Sequence, residues 1–204
     1  MSPFATKIWP GDLFGRVLGL TGLVLVIFSS YLLVRIFKDP VKNEIKYVMH
    51  TKARADNLQP ASLDFSIVVE KLGITSEIIA NVDPFDSKKY QLALSKGIAH
   101  ASGTKFPGEG GNIFLFAHSS TDLFTAKRYN SVFYLIHHLD TDDVVDIWYQ
   151  GQLYRYEVIN KEFVSPGSTS SLTRIMPSET LTLMTCWPPG TTLSRLIITA
   201  KLSE

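Results

Sequence analysis

The sequence predicts an all-β domain carried behind a single apolar helix, and three observations predict it. From Leu63 onward the chain breaks into short apolar runs separated by turn residues, the texture of successive strands. Near the end, two β-prone runs, Leu181 to Cys186 and Arg195 to Ala200, flank a segment rich in Pro, Gly, Ser and Thr, the pattern of two strands joined by a loop. Ahead of both, Val17 to Val34 forms an 18-residue run without a charge. The 204 residues allow one domain of ordinary size plus an appendage. Lysine and arginine (20) nearly balance aspartate and glutamate (19), so charge gives no reason to expect a nucleic-acid partner.

At 1.5 Å per residue the apolar run reaches about 27 Å, close to the roughly 30 Å of a hydrocarbon core. Arg16 and Arg35 bracket it, and Trp9, Tyr31 and Phe37 lie near its ends, where interfacial aromatics gather. Phe28-Ser29-Ser30-Tyr31 is a poor cleavage site for a signal peptide. The run is apolar all round, unlike the one-sided stripe of a surface helix. One uncleaved span is therefore expected. Lys7 and Arg16 precede it while Arg35, Lys38, Lys42 and Lys46 follow it, so the positive-inside bias alone favours a cytoplasmic C-terminus. Residues 38–60 are polar and mixed in charge and read as a stalk, with Asn43 to Asn57 able to be helical.

In the β region, Phe65 to Val69 and Ile74 to Ile79 are the first strands, with Lys71-Leu72-Gly73 turning between them. Asn81 to Asp86 reads as a loop because Asp83 precedes Pro84. Ser87 to Ser95 suits a short helix, with Tyr90, Leu92 and Leu94 available for packing. A glycine-rich turn then leads into Asn112 to His118. Alternation along that strand puts Phe114, Phe116 and His118 on one face and Ile113, Leu115 and Ala117 on the other. Ser119-Ser120-Thr121-Asp122 begins a loop, and Thr125 to Leu139 reads as loop and short helix. Val144 to Trp148 and Leu153 to Ile159 form a hairpin around Gln150-Gly151, and Phe163 to Arg174 is loop-rich.

If the two C-terminal strands are antiparallel neighbours, Cys186 and Arg195 stand side by side at one sheet edge. Cys186 is the only cysteine, so it has no intramolecular disulfide partner and cannot join a multi-cysteine metal site. A thiol at a strand end beside a permanent cation is placed to attack a carbonyl whose oxygen becomes negative. The plainer reading is a buried, inert cysteine next to a surface arginine.

Leu181-Thr182-Leu183-Met184-Thr185-Cys186 followed by Arg195 resembles the TLxTC…R signature of sortases, the membrane-anchored cysteine transpeptidases. Gly97 to Asn112 resembles the family's GVxHxxGTxxPGxxGN, and Ala117-His118 the pair that carries its histidine. The resemblance spans about residues 63 to 202. It implies a closed or nearly closed antiparallel β-barrel of seven to eight strands with short helices. The organisation expected is a cytoplasmic tail over 1–16, a transmembrane anchor over 17–37, the stalk over 38–60 and an extracytoplasmic catalytic domain over 61–204. A domain of that size translocates despite the basic charge ahead of it.

The same resemblance implies Cys186 as nucleophile, His118 as the acid that protonates the departing amine and Arg195 as donor to substrate backbone or oxyanion. Thr185 and Ala117 shape the groove, and the loop after Val164 forms one of its walls. Attack gives a thioester, which an amine acceptor, a cell-wall precursor or a pilin lysine, converts to a new amide. The substrates implied are proteins bearing a C-terminal LPxTG-like sorting signal. Two alternatives stay open: a membrane-tethered hydrolase using water, and a catalytically silent peptide-binding barrel.

Of the other histidines, His100 reads as a packing residue and His50 lies in the stalk. His137 and His138, adjacent on a short helix, should point in different directions and make a poor metal pair. One cysteine with scattered histidines argues against zinc. Glu109, Asp140, Asp142 and Asp143 read as solvated turns rather than calcium ligands. No metal or cofactor is expected. Asp83-Pro84-Phe85 resembles the lid motif of pilin-polymerising sortases but follows the first core strand instead of preceding it, so it reads as an ordinary loop.

Overall fold

The computed structural model describes residues 10–53, 58–119, 131–168, 170–173 and 178–203. Two compact units divide it, Met1–Asp39 and Pro40–Glu204. Helix α1 (Pro10–Ala53) runs through both. Pro10 opens it in the first turn, where a missing N–H is no loss. Pro40 has no amide to donate to the preceding turn, and the division between the units falls there. Phe14–Arg35 is long and apolar enough to cross a membrane, and all its side chains are exposed. The helical reading of the stalk holds as far as Ala53, and residues 54–57 lie outside the described ones.

In the second unit, eight strands among the described residues close into a barrel. They are β1 (Phe65–Val69), β2 (Ile74–Val82), β3 (Ile98–Ala101), β4 (Asn112–Phe116), β5 (Val144–Tyr149), β6 (Gln152–Val164), β7 (Thr180–Trp187) and β8 (Ser194–Leu202). Around the barrel the order is β1-β2-β3-β4-β7-β8-β6-β5. The closed barrel behind an apolar helix is the architecture expected from the sequence. Its pairing is not wholly antiparallel: β2–β3 and β4–β7 are parallel. Parallel neighbours need a crossover. Helix α2 (Ser87–Leu94) supplies the first, and the second encloses the whole β5–β6 hairpin.

Local chemistry explains most boundaries. Glu70–Leu72 is a 3₁₀ turn closed by Gly73 at φ 64°, a left-handed position that suits glycine. Asp86 caps α2 by accepting from the amides of Lys88 and Lys89. Those bonds and the nearby Lys89 ammonium hold its carboxyl below the usual range. On that helix Ala93 and Leu94 are buried, whereas Leu92, expected to pack, is exposed. Gln150 and Gly151 both take positive φ (51° and 79°), the backbone of a tight hairpin turn. Strand β6 outruns its expected end at Ile159 because its pairing with β8, which starts at Tyr156, continues to Val164 across a register shift between Val158 and Asn160.

The core fills the barrel with Ile67, Ile113, Leu115, Ile147, Tyr156, Leu181, Leu183 and Ile198, all fully buried. Glu179 and His100 are among the polar residues buried with it. Glu179 accepts from the amides of Gly108 and Gly110 at 3.0 Å each and from the Tyr156 hydroxyl at 2.6 Å. It thereby nails the glycine-rich turn to the start of β7. His100, also fully buried, accepts from the Asn81 amide at Nδ1 (3.3 Å), so Nε2 carries the proton and faces the Lys105 carbonyl at 3.0 Å.

Removing the Glu179 carboxylate strands two amides and a buried phenol. Glu179→Ala should cost about 2–3 kcal/mol, a fall of roughly 5–10 °C in Tm for a chain of this size, read by thermal unfolding. Burial pushes the His100 imidazole below its ordinary value of 6.5. Below about pH 6.5 the unfolded chain therefore takes up the proton first, and stability falls as pH drops. Denaturant midpoints measured between pH 7.5 and 5.5 should decline on acidification, and less steeply in His100→Gln.

Candidate active site

Strand β7 lies between β4 and β8 in the barrel, and the site is built across those three neighbours. Cys186 is the antiparallel partner of Arg195, one pair short of the strand ends. Directly opposed residues put their side chains on the same face with Cβ atoms about 4.5–5.5 Å apart. The side-by-side placement read from the sequence is therefore present. Cys186 is half-buried and is the free cysteine of the chain.

His118 reaches this edge by a different route. The regular pairing of β4 with β7 ends at Phe116 opposite Met184, two residues before the histidine expected to end the strand. Beyond it, the Ala117 amide donates to the Met184 carbonyl at 3.2 Å, and the Thr185 hydroxyl donates to the Ala117 carbonyl at 2.8 Å. The Phe133 amide then donates to the His118 carbonyl. These bonds carry the chain alongside β7 after the strand has ended, so His118 borders the same cavity as Cys186, and Ala117 borders it too.

That cavity, about 520 Å³, is bordered by Ala117, His118, Thr185, Cys186 and Arg195 together. Phe114, Phe116, Met184 and Leu94 supply apolar walls. Pro166, Ser168 and Leu172 line one side, so the segment after Val164 walls the groove as expected; α3 (Ser170–Thr173) gives it a helical turn. Ser120 to Asp122, the first part of the segment Thr125 to Leu139, and Arg174 lie outside the described residues. Arg195 donates through Nη1 to the carbonyls of Thr192 (3.4 Å) and Ser194 (3.2 Å).

Several features escaped the sequence reading. Pro84 and Phe85 border the cavity, with Phe85 75 % exposed, a placement that the reading of Asp83-Pro84-Phe85 as an ordinary loop did not include. The signal in the sequence was the likeness of this triplet to the lid motif. His137 and His138 do not diverge. They sit on a 3₁₀ helix (Tyr134–His138) with ring centroids 4.0 Å apart, and both Nε2 atoms face Glu44 of α1. His100 is absent from the cavity lining and packs on Phe106 and Phe65. Among the acids weighed for calcium, Asp143 and Asp140 pair with Lys71, Asp140 also with Lys161, and Glu109 accepts from the Phe106 amide.

The sortase domain family matches residues 67–203. This chain belongs to the sortase family. No curated protein matches it. Among solved structures the sortase is similar to the sortase D5 transpeptidase of Clostridium perfringens, at 24% identity and TM-score 0.56 over 80% of this chain and 94% of that one. It is similar also to sortase C-1 of Actinomyces oris, at 24% and 0.57 over 80% and 98%. The pilus-related sortase C of Group B Streptococcus matches at 22% and 0.58 over 80% and 90%. At such identities these likenesses speak for the barrel, while the domain match carries the family.

The Thr185 hydroxyl is spent on Ala117, so its side chain acts here on backbone position. Thr185→Val should leave that buried carbonyl unpaired, costing about 1–2 kcal/mol, and Thr185→Ser should restore it, read by unfolding midpoint.

Proposed function

We propose that this sortase is a transpeptidase using Cys186 as nucleophile, His118 as general acid and base, and Arg195 as oxyanion and backbone donor. The observation that carries the reading is the gathering of these three residues, on β7, on β8 and just past the end of β4, on one apolar-walled cavity. The thiolate is the attacking form of a cysteine, and cationic neighbours favour it. The sulfur adds to the carbonyl carbon of a peptide bond in the sorting signal, and the oxyanion receives hydrogen bonds from the Arg195 fork. As the tetrahedral adduct collapses, the C–N bond breaks and His118 gives its proton to the leaving amine. A thioester remains. An incoming amine loses its proton to His118, adds to the thioester carbonyl and expels the sulfur, leaving a new amide.

The substrates are proteins with a C-terminal LPxTG-like signal, and the acceptor is an amine of the cell envelope or a pilin. Phe114, Phe116 and Leu94 offer the apolar surface that a leucine and proline would occupy. Ala117 and Thr185, at the cavity floor, bound the substrate backbone. The helix Phe14–Arg35, uncharged from Val17 to Val34, supports a single-pass membrane anchor, with the barrel outside the cytoplasm as the family's extracellular substrates require.

Incubation with a sorting peptide should yield an acyl-enzyme on Cys186 by mass spectrometry, and amide product when an amine is added. Cleavage without amide formation in the presence of amine would identify a hydrolase instead. Cys186→Ala should abolish turnover. His118→Gln should lower kcat about 10²–10⁴-fold and Arg195→Ala about 10²–10³-fold. Arg195→Lys should remain impaired, because an ammonium lacks the planar fork.

A further inference from the structure

Away from the cavity, the structure brings a carboxylate and two imidazoles together from distant parts of the chain. His138 Nε2 lies 3.1 Å from Glu44 Oε2, and His137 Nε2 lies 3.6 Å from Glu44 Oε1. One donor atom from each of the three residues falls within 4.8 Å of the others. Two ligands at 2.0–2.1 Å from a tetrahedral zinc stand roughly 3.3–3.4 Å apart, a spacing that these two distances bracket.

The surroundings prepare the donors. His137 Nδ1 is 2.8 Å from the Tyr134 carbonyl, so Nδ1–H donates there and the lone pair of Nε2 is left facing Glu44. An imidazole whose far nitrogen is fixed on a backbone carbonyl is the usual second-layer arrangement of zinc-binding histidine. Without a proton or cation between them, that lone pair and a carboxylate oxygen oppose each other. The Tyr134 phenol lies near the Glu44 carboxylate. The ammonium of Lys161 is the nearest competing charge; it donates to the His137 carbonyl at 2.5 Å and faces Asp140 at 3.5 Å, which offsets it. All three donors keep partial exposure (19 %, 28 % and 39 % for the side chains), so an ion has a path in.

We propose that Glu44, His137 and His138 form a binding site for a borderline divalent ion of the zinc class. Two nitrogen donors and one carboxylate suit Zn²⁺ over Ca²⁺ or Mg²⁺, which take oxygen, and a water completes the tetrahedron. The ion fastens α1 at Glu44 to the 3₁₀ helix of the barrel. The His137 ring stands 5.1 Å from that of Trp187, the residue after Cys186. The site is structural and does not depend on the catalytic reading above.

The test uses full-length, untagged protein in detergent carrying Cys186→Ala, which removes the competing thiol. Calorimetric titration with Zn²⁺ should show one saturable site per chain, and Co²⁺ should give the visible bands of a tetrahedral nitrogen–oxygen site. Glu44→Gln and His138→Gln should each weaken binding by at least about 10- to 100-fold, with metal-free circular dichroism unchanged. In the protein without those substitutions, Zn²⁺ should protect His137 and His138, mapped by mass spectrometry, from diethyl pyrocarbonate; this readout stands even if a variant misfolds. Absence of saturable binding, binding undiminished in both folded variants, or modification of both histidines unaffected by Zn²⁺ would each overturn the site.

Discussion

The continuation of β4 beside β7 past the end of regular pairing is the constraint on which the candidate site depends. Cys186 and Arg195 need only the antiparallel register of two consecutive strands, which a short loop enforces. His118 has no such local guarantee. It lies 68 residues before Cys186 and follows a strand of five residues that ends at Phe116. Two hydrogen bonds, from the Ala117 amide to Met184 and from the Thr185 hydroxyl to Ala117, fix its place. The threonine preceding the cysteine thus serves the histidine. Its hydroxyl is 3 % exposed and has an acceptor already, so proton transfer is not its task.

The supports of β4 extend that logic outward. The Asn112 carboxamide accepts from the Thr182 hydroxyl at 2.7 Å, tying the beginning of β4 to β7, as Thr185 ties its end. Below it, Glu179 gathers the amides of the glycine-rich turn. Gly108 cannot carry a side chain there: its φ is +85°, and an added Cβ would stand 2.9 Å from the Tyr154 hydroxyl oxygen. The motif that leads into β4 is therefore a device for register. A slip of one residue would send His118 away from the cavity.

Legibility in the sequence follows the range of the interaction. Strand alternation, the Gln150-Gly151 turn and the Cys186–Arg195 pairing are local, and each could be read from a few neighbouring residues. The parallel adjacency of β4 and β7 could not, because no turn joins them and any parallel partner satisfies the same apolar pattern. The resemblance to sortases implied a barrel of antiparallel strands, so this adjacency is seen only in the structure. Glu179 carries no sign of burial in a segment reading Pro177-Ser178-Glu179-Thr180; only the amides brought to it by the fold make its burial tolerable. Successive residues on a 3₁₀ helix diverge by about 120°, which is why His137 and His138 read as unrelated. Their long side chains reconverge on Glu44, which lies more than ninety positions away.

On the proposed mechanism, the guanidinium of Arg195 is held ready for an incoming peptide. Both of its hydrogen bonds use Nη1 and both acceptors are loop carbonyls, Thr192 and Ser194, on the segment bordering the cavity. A guanidinium has five donors in a rigid plane, so Nε and Nη2 retain the capacity to meet a carbonyl or an oxyanion. The loop contacts restrict rotation of a long side chain before substrate arrives, reducing the entropy lost when it binds. At 3.4 and 3.2 Å they are also weak enough to exchange for a charged acceptor, whose hydrogen bonds are about twice as strong as neutral ones. The preference of the fork thus shifts toward the substrate as negative charge develops on it, which is the condition for an interaction to favour the transition state over the bound peptide.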